Sequence, residues 1–125
     1  MNAHEQTSLD RLLHRFGSAA QAHFAALEAM DADAANRHAM MIARLHVAIT
    51  TEDSGRDALL GLLLDKRPAV RGMVAVYCLH EHTQRSLAVL RELARIPGLM
   101  GFRASCALER WEKGELVQSM EEPQP

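Results

Sequence analysis

The sequence predicts an all-α fold: six helices, several of them short, stacked as about three pairs in a small α-solenoid. Three observations carry that expectation. Apolar residues recur at spacings of three and four along most of the chain, the period of a helix face. Sustained two-residue alternation and Asn-Gly or Asp-Gly hairpin turns, the signals of strands, are lacking. Related segments also recur at offsets of 32 and 34 residues, close to the period of stacked helix pairs.

The elements follow in order. Thr7 or Ser8 is positioned to cap a first helix whose apolar side runs Leu9, Leu12, Leu13, Phe16, Ala20, Phe24, Leu27. Gly17 weakens it by roughly 1 kcal/mol without ending it. Asp31 and Asp33 offer caps for a second helix with Met41, Ile42, Leu45, Ala48 and Ile49 on its buried side. The segment "TTEDSGRD", residues 50–57, reads as a loop, with Ser54 as the next cap and a short third helix over "ALLGLLLD". Pro68 fits the first turn of a fourth helix, where its missing N–H removes no hydrogen bond. That helix buries Val70, Val74, Cys78 and Leu79. Thr83 caps a fifth, with Leu87, Leu90, Leu93 and Ala94 inward, and Pro97-Gly98 stops it. A sixth runs from about Met100 through Trp111 to Gly114.

Composition sets the bounds. With 125 residues, 48% apolar and 24% charged, the chain suits one globular domain over 1–116 and a loose acidic tail over 117–125. Its apolar runs fall well short of the ~20 residues a membrane span needs. "MNAHEQTSLD" lacks the basic flank and apolar stretch of a secretory signal, so the expected setting is the cytoplasm. Cys78 and Cys106 lie inside apolar helical patterns, as buried free thiols in a reducing compartment do.

The offsets are carried by particular residues. Arg37, Arg71 and Arg103 come into register, with Leu45 over Leu79, His46 over His80, and Ala75 over Ala107. Each such pair of helices needs a neighbour to cover its apolar face. Within this frame Leu63, Asp65, Pro68, Val70, Arg71, Ala75 and Leu79 resemble the turn of a HEAT repeat. In that repeat the aspartate and arginine tie the turn to itself and to the next unit, which implies a structural role for Asp65 and Arg71. Physical chemistry points the same way. A carboxylate at Asp65 lies near the unpaired N–H groups that open the fourth helix, and Arg71 is placed to satisfy its second oxygen.

Over roughly residues 20–116 the chain resembles the bacterial domain-of-unknown-function 2019 family of small HEAT-like proteins. The resemblance rests on Asn36-Arg37, Gly55-Arg56, Val70-Arg71 and the closing Trp111 with Gly114. It implies a compact helical-repeat fold, no agreed activity, and a likeness in size and setting to immunity proteins encoded beside bacterial toxins.

Catalytic and metal chemistry find little to stand on. His80 and His82 are two residues apart, which a helix sends to different sides, and neither "HEQTS" nor "HEHTQ" completes H-E-x-x-H. His38 and His46 stand two turns apart, about 12 Å. Cys78 is the one thiol with histidines nearby in sequence, and it lies on the buried stripe. The chain carries no nucleophile elbow, phosphate loop or dinucleotide fingerprint. The expectation is a non-enzyme without metal or cofactor.

Charge is more informative. Residues 28–57 hold six acids, Glu28, Asp31, Asp33, Glu52, Asp53 and Asp57, against three arginines, whereas residues 58–113 hold five acids and nine bases. The acidic segment suits a basic protein partner, in its most concrete form a toxin domain that the chain neutralises by direct binding. Helix capping by Asp31, Asp33 and Asp53 is the competing account of half of it. The alternative is nucleic-acid binding through Arg85, Arg91, Arg95, Arg103 and Arg110 on the last two helices. A net charge of −2 and few aromatics work against that reading.

Overall fold

The structure is a computed structural model that describes residues 2–115, so the tail expected over 117–125 lies outside it. Among the described residues it is helical throughout and contains no strand: six α-helices and one 3₁₀ turn. Contacts divide these residues into two compact units, one ending at Leu62 and the other beginning at Leu63.

The first unit contains α1 (Ala3–Glu28), α2 (Ala32–Ile49) and α3 (Asp53–Gly61). Helix α1 starts earlier than its apolar stripe does. Asn2 caps it, its side chain accepting from the Glu5 N–H at 2.8 Å, while Glu5 accepts from the Asn2 amide at 3.1 Å. Thr7 and Ser8 therefore lie inside the helix rather than at its start, and the Thr7 hydroxyl turns back to the Ala3 carbonyl. The expected stripe holds: Leu9, Phe16 and Ala20 are buried, and Gly17 is carried within the helix without a break.

Helix α1 ends in a Schellman turn, with the Met30 N–H on the Leu27 carbonyl and the Asp31 N–H on the Ala26 carbonyl. The left-handed position of that turn, normally glycine, is Met30 at φ 57°. Asp31 then caps α2, accepting from the Ala34 N–H at 3.0 Å. Asp33 sits in the first turn, favoured there by the helix dipole but making no cap bond. The short turn lays α1 and α2 side by side, and α3 touches both.

Glu52, and not Ser54, occupies the cap position of α3, and it makes no side-chain cap bond. The helix begins at Asp53, and Gly55 in its first turn passes against the end of α2. A Cβ built on Gly55 would overlap the carbonyl oxygen of Ile49.

A 3₁₀ turn over Leu62–Leu64 replaces the last part of the expected third helix. The second unit contains α4 (Pro68–Cys78), α5 (Thr83–Leu93) and α6 (Leu99–Glu112), with α5 packed on both others and α4 touching α6. Pro68 opens α4 as expected, and Val70, Val74, Cys78 and Leu79 are buried. Thr83 is the first residue of α5 rather than its cap. Its hydroxyl donates back to the Leu79 carbonyl at 2.8 Å, closing the end of α4. Leu87, Leu90 and Leu93 fill the buried side of α5. Helix α6 ends in a Schellman turn at Gly114, φ 74°, with the Glu115 N–H on the Arg110 carbonyl. Gly101 near its start repeats the arrangement at Gly55: a Cβ there would overlap the Ile96 carbonyl oxygen.

Candidate functional site

The turn before α4 is braced, but by a different pairing from the one expected. Asp65 is held by Arg67: Oδ1 accepts from the Arg67 N–H at 2.9 Å and from its Nε at 3.0 Å, and Oδ2 accepts from Nη2 at 3.1 Å. These hydrogen bonds from Arg67 hold the Asp65 carboxyl below its usual range, against the opposing effect of its burial. Arg71 does not satisfy the second oxygen. Its Nη1 donates instead to the backbone carbonyls of Asp65 and Lys66, at 3.1 and 3.2 Å, and Nη2 lies 3.7 Å from Glu92 on α5. The sequence reading missed Arg67 because a side chain two residues away serves the carboxylate more directly than one six away. Arg71 is then left to hold the carbonyls.

The six acids of residues 28–57 are all exposed, but they do not form one surface. Glu28, Asp31 and Asp33 surround the α1–α2 turn. Glu52, Asp53 and Asp57 lie at the start of α3, beyond the other end of α2. Helix α2 has 18 residues, so the two groups stand about 27 Å apart along its axis. Asp53 is partly neutralised by Arg56, at 2.9 Å. The charge bias legible in the sequence is thus two separate acidic ends, with α2 between them.

What lies between them was not expected. Met41 and Ala48, assigned to the core from their spacing, are exposed. The buried side of α2 is Ala35, Ile42, Leu45 and Ile49. Met40, Met41, Val47 and Ala48 form a second apolar stripe within about 120° of arc on roughly the opposite side of the helix. Met40 is 50% and Val47 67% exposed. A solvent face of a helix ordinarily carries charged and polar residues. Here the stripe is punctuated by Arg37 and Arg44, seven residues apart, and bordered by Arg15 of α1, whose Nη2 lies 3.7 Å from the Met41 sulfur. Among the described residues, Arg37 and Arg44 have no ion-pair partner. The signal was present in the sequence, because positions 37, 40, 41, 44, 47 and 48 repeat at three and four. Spacing alone could not separate two stripes on one helix.

Elsewhere the side chains are dispersed. Among the described residues no three His, Cys, Asp or Glu side chains converge as a metal cage requires. Helix α4 ends at Cys78, so His80 and His82 fall in the turn that follows it. Burial, reinforced by the charge of Glu81, pushes the Cys78 thiol up to about 11, far from a nucleophile's range. Cys106 is half-buried, and both cysteines are free. Arg85, Arg91, Arg95, Arg103 and Arg110 are all exposed. Arg85 and Arg91 are six residues apart on α5, about 120° apart around the helix. Arg110 also lies 3.9 Å from Glu115. Among the described residues, no helix is long and apolar enough to cross a membrane.

No protein-family model matches the chain, and no curated protein and no solved structure matches it significantly.

Proposed function

We propose that this chain is a non-catalytic protein-binding module of HEAT-like type that works through its first unit, most concretely as an immunity protein neutralising a toxin by direct contact. The observation that carries this reading is α2, a helix with one apolar stripe in its core and another, Met40, Met41, Val47 and Ala48, in solvent. Exposed apolar surface held on a rigid helix favours association with another protein and offers nothing to a reaction. Met30 adds to the argument. It is 91% exposed and holds a left-handed backbone that glycine would adopt without strain.

The acids have a place in the same reading. Glu28, Asp31 and Asp33 at one end of α2, and Glu52, Asp53 and Asp57 at the other, would steer a partner with basic flanks onto the helix between them. A shared junction supports a repeat, though of three-helix units and at a longer period than the 32 and 34 residues read from the sequence. In each unit the third helix begins with a glycine two residues in, pressed against an isoleucine carbonyl: Gly55 on Ile49 and Gly101 on Ile96. Those pairs lie 46 and 47 residues apart in sequence (101 − 55 and 96 − 49), a length typical of helical-repeat units.

The test is protection. The chain is co-expressed with the product of the adjoining gene, and growth is compared for the native protein and a Met41→Glu/Val47→Glu variant. Protection by the native chain, lost in the variant at unchanged helicity, is the expected result. No affinity for that product, together with duplex-DNA binding abolished by replacing Arg85, Arg91 and Arg95, would overturn the reading.

A further inference from the structure

We infer that the outer face of α2 receives an acidic amphipathic helix from its partner, whose carboxylates pair with Arg37, Arg44 and Arg15. The inference rests on the protein-binding reading and adds the chemistry of what is bound. Three features of the face select this occupant. Its apolar residues recur at the three- and four-residue spacing that a second helix matches when it lies alongside. Its charged residues are mostly arginines: Arg37 and Arg44 lie among the apolar residues and Arg15 is at their border, while the one acid on the same face, Asp33, lies at its N-terminal end, one turn before Arg37. Arg37 and Arg44 are also seven residues apart, about 10 Å along the axis, so one helix with two carboxylates at the same interval can meet both.

The other occupants fit less well. A second copy of the chain, packed antiparallel so that Met40 and Met41 meet Ala48 and Val47, would set Arg44 against Arg44, with Asp33 about 16 Å away along the helix and out of reach of both. A nucleic-acid backbone would find the arginines but would leave Met40, Met41 and Val47 against phosphates, which give apolar side chains nothing. An anionic membrane surface carries its charge throughout and would also meet the acidic ends that flank the face, which a helix with carboxylates only at its centre does not.

The test selects helical peptides from a display library on the full chain. The library fixes an apolar stripe and varies the flanking positions among Glu, Gln, Ser and Lys. The expected winners carry Glu at positions seven apart. They should bind an Arg37→Glu/Arg44→Glu variant at least about tenfold more weakly. Peptides with Lys in place of those Glu residues should recover affinity for that variant and not for the native chain. Circular dichroism and melting of the variant should match the native chain, since both residues are exposed. Winners with Lys rather than Glu at those positions would overturn the inference, as would winners that bind the variant equally well. If such winners are still lost on Val47→Asp, the protein-binding reading survives and only the acidic helix falls. Phosphatidylglycerol vesicles, a 20-base-pair duplex, or a Val47-dependent dimer in sedimentation occupying the face in preference to every peptide would overturn both.

Discussion

At Gly55 the presence or absence of one methyl group decides whether α3 can follow α2. The backbone carbonyl of Ile49 occupies the space a Cβ would take, and no side-chain rotation can relieve a clash with backbone. Gly61, the last residue of the same helix, has open space around it. The two glycines should therefore respond oppositely to the same substitution. Gly55→Ala should cost about 3 kcal/mol or more, because the α2–α3 junction must move. Gly61→Ala should stabilise by ~0.5–1 kcal/mol through better helix propensity and a less flexible unfolded chain. Chemical denaturation of both variants checks the pair, and equal effects would remove the junction argument. Neither sign was readable from sequence. A glycine within a helix is equally compatible with a close approach and with none.

Among the elements, the turn into α4 and the two-sided α2 show where sequence reading succeeds and where it stops. Pro68 announced α4 because a fixed φ and a missing N–H suit only a first turn, and Gly114 announced the end of α6 in the same direct way. The starts of α1 and α5 were misplaced because hydroxyl residues near a helix start have two uses. Thr7 and Thr83 bond backward to carbonyls, at Ala3 and Leu79, instead of forward to N–H groups. The end of α1 carried no glycine signal, since Met30 fills the left-handed position.

In the α4 turn, Asp65 and Arg71 do separate jobs, and acid should separate them. The carboxyl of Asp65 is held below its usual value of 3.8 in the folded chain. Its contribution is therefore present above the unfolded pKa and lost as pH falls through the folded one. Asp65→Asn should destabilise at neutral pH by ~1–2 kcal/mol and progressively less below about pH 4. Arg71→Ala removes donors from the Asp65 and Lys66 carbonyls, so its cost, ~1–3 kcal/mol, should persist across the same range. Melting curves of both variants from pH 7 to 3 provide the check, and parallel pH profiles would mean that the two side chains act as one pair after all.

On the scale of the whole molecule, the helical class was legible because period-3.6 patterning runs through both units, and Phe16, Val74 and Leu90 lie buried where that period puts them. The proposed binding surface was legible only in part. Charge counting along the chain found the acids but merged two groups that an 18-residue helix holds apart. Periodicity found Met41 and Ala48 but placed them on the wrong side of α2. The separation has a kinetic consequence. Residues at the ends of α2 should govern approach, and residues on its outer face should govern residence. Stopped-flow association with the bound partner protein tests this most directly, using Glu28→Lys/Glu52→Lys/Asp57→Lys beside Met41→Glu/Val47→Glu. The account predicts slower association with a flattened salt dependence for the first variant, and faster dissociation at near-native association for the second. Native kinetics in both, with binding lost only on replacing Arg85, Arg91 and Arg95, would contradict it.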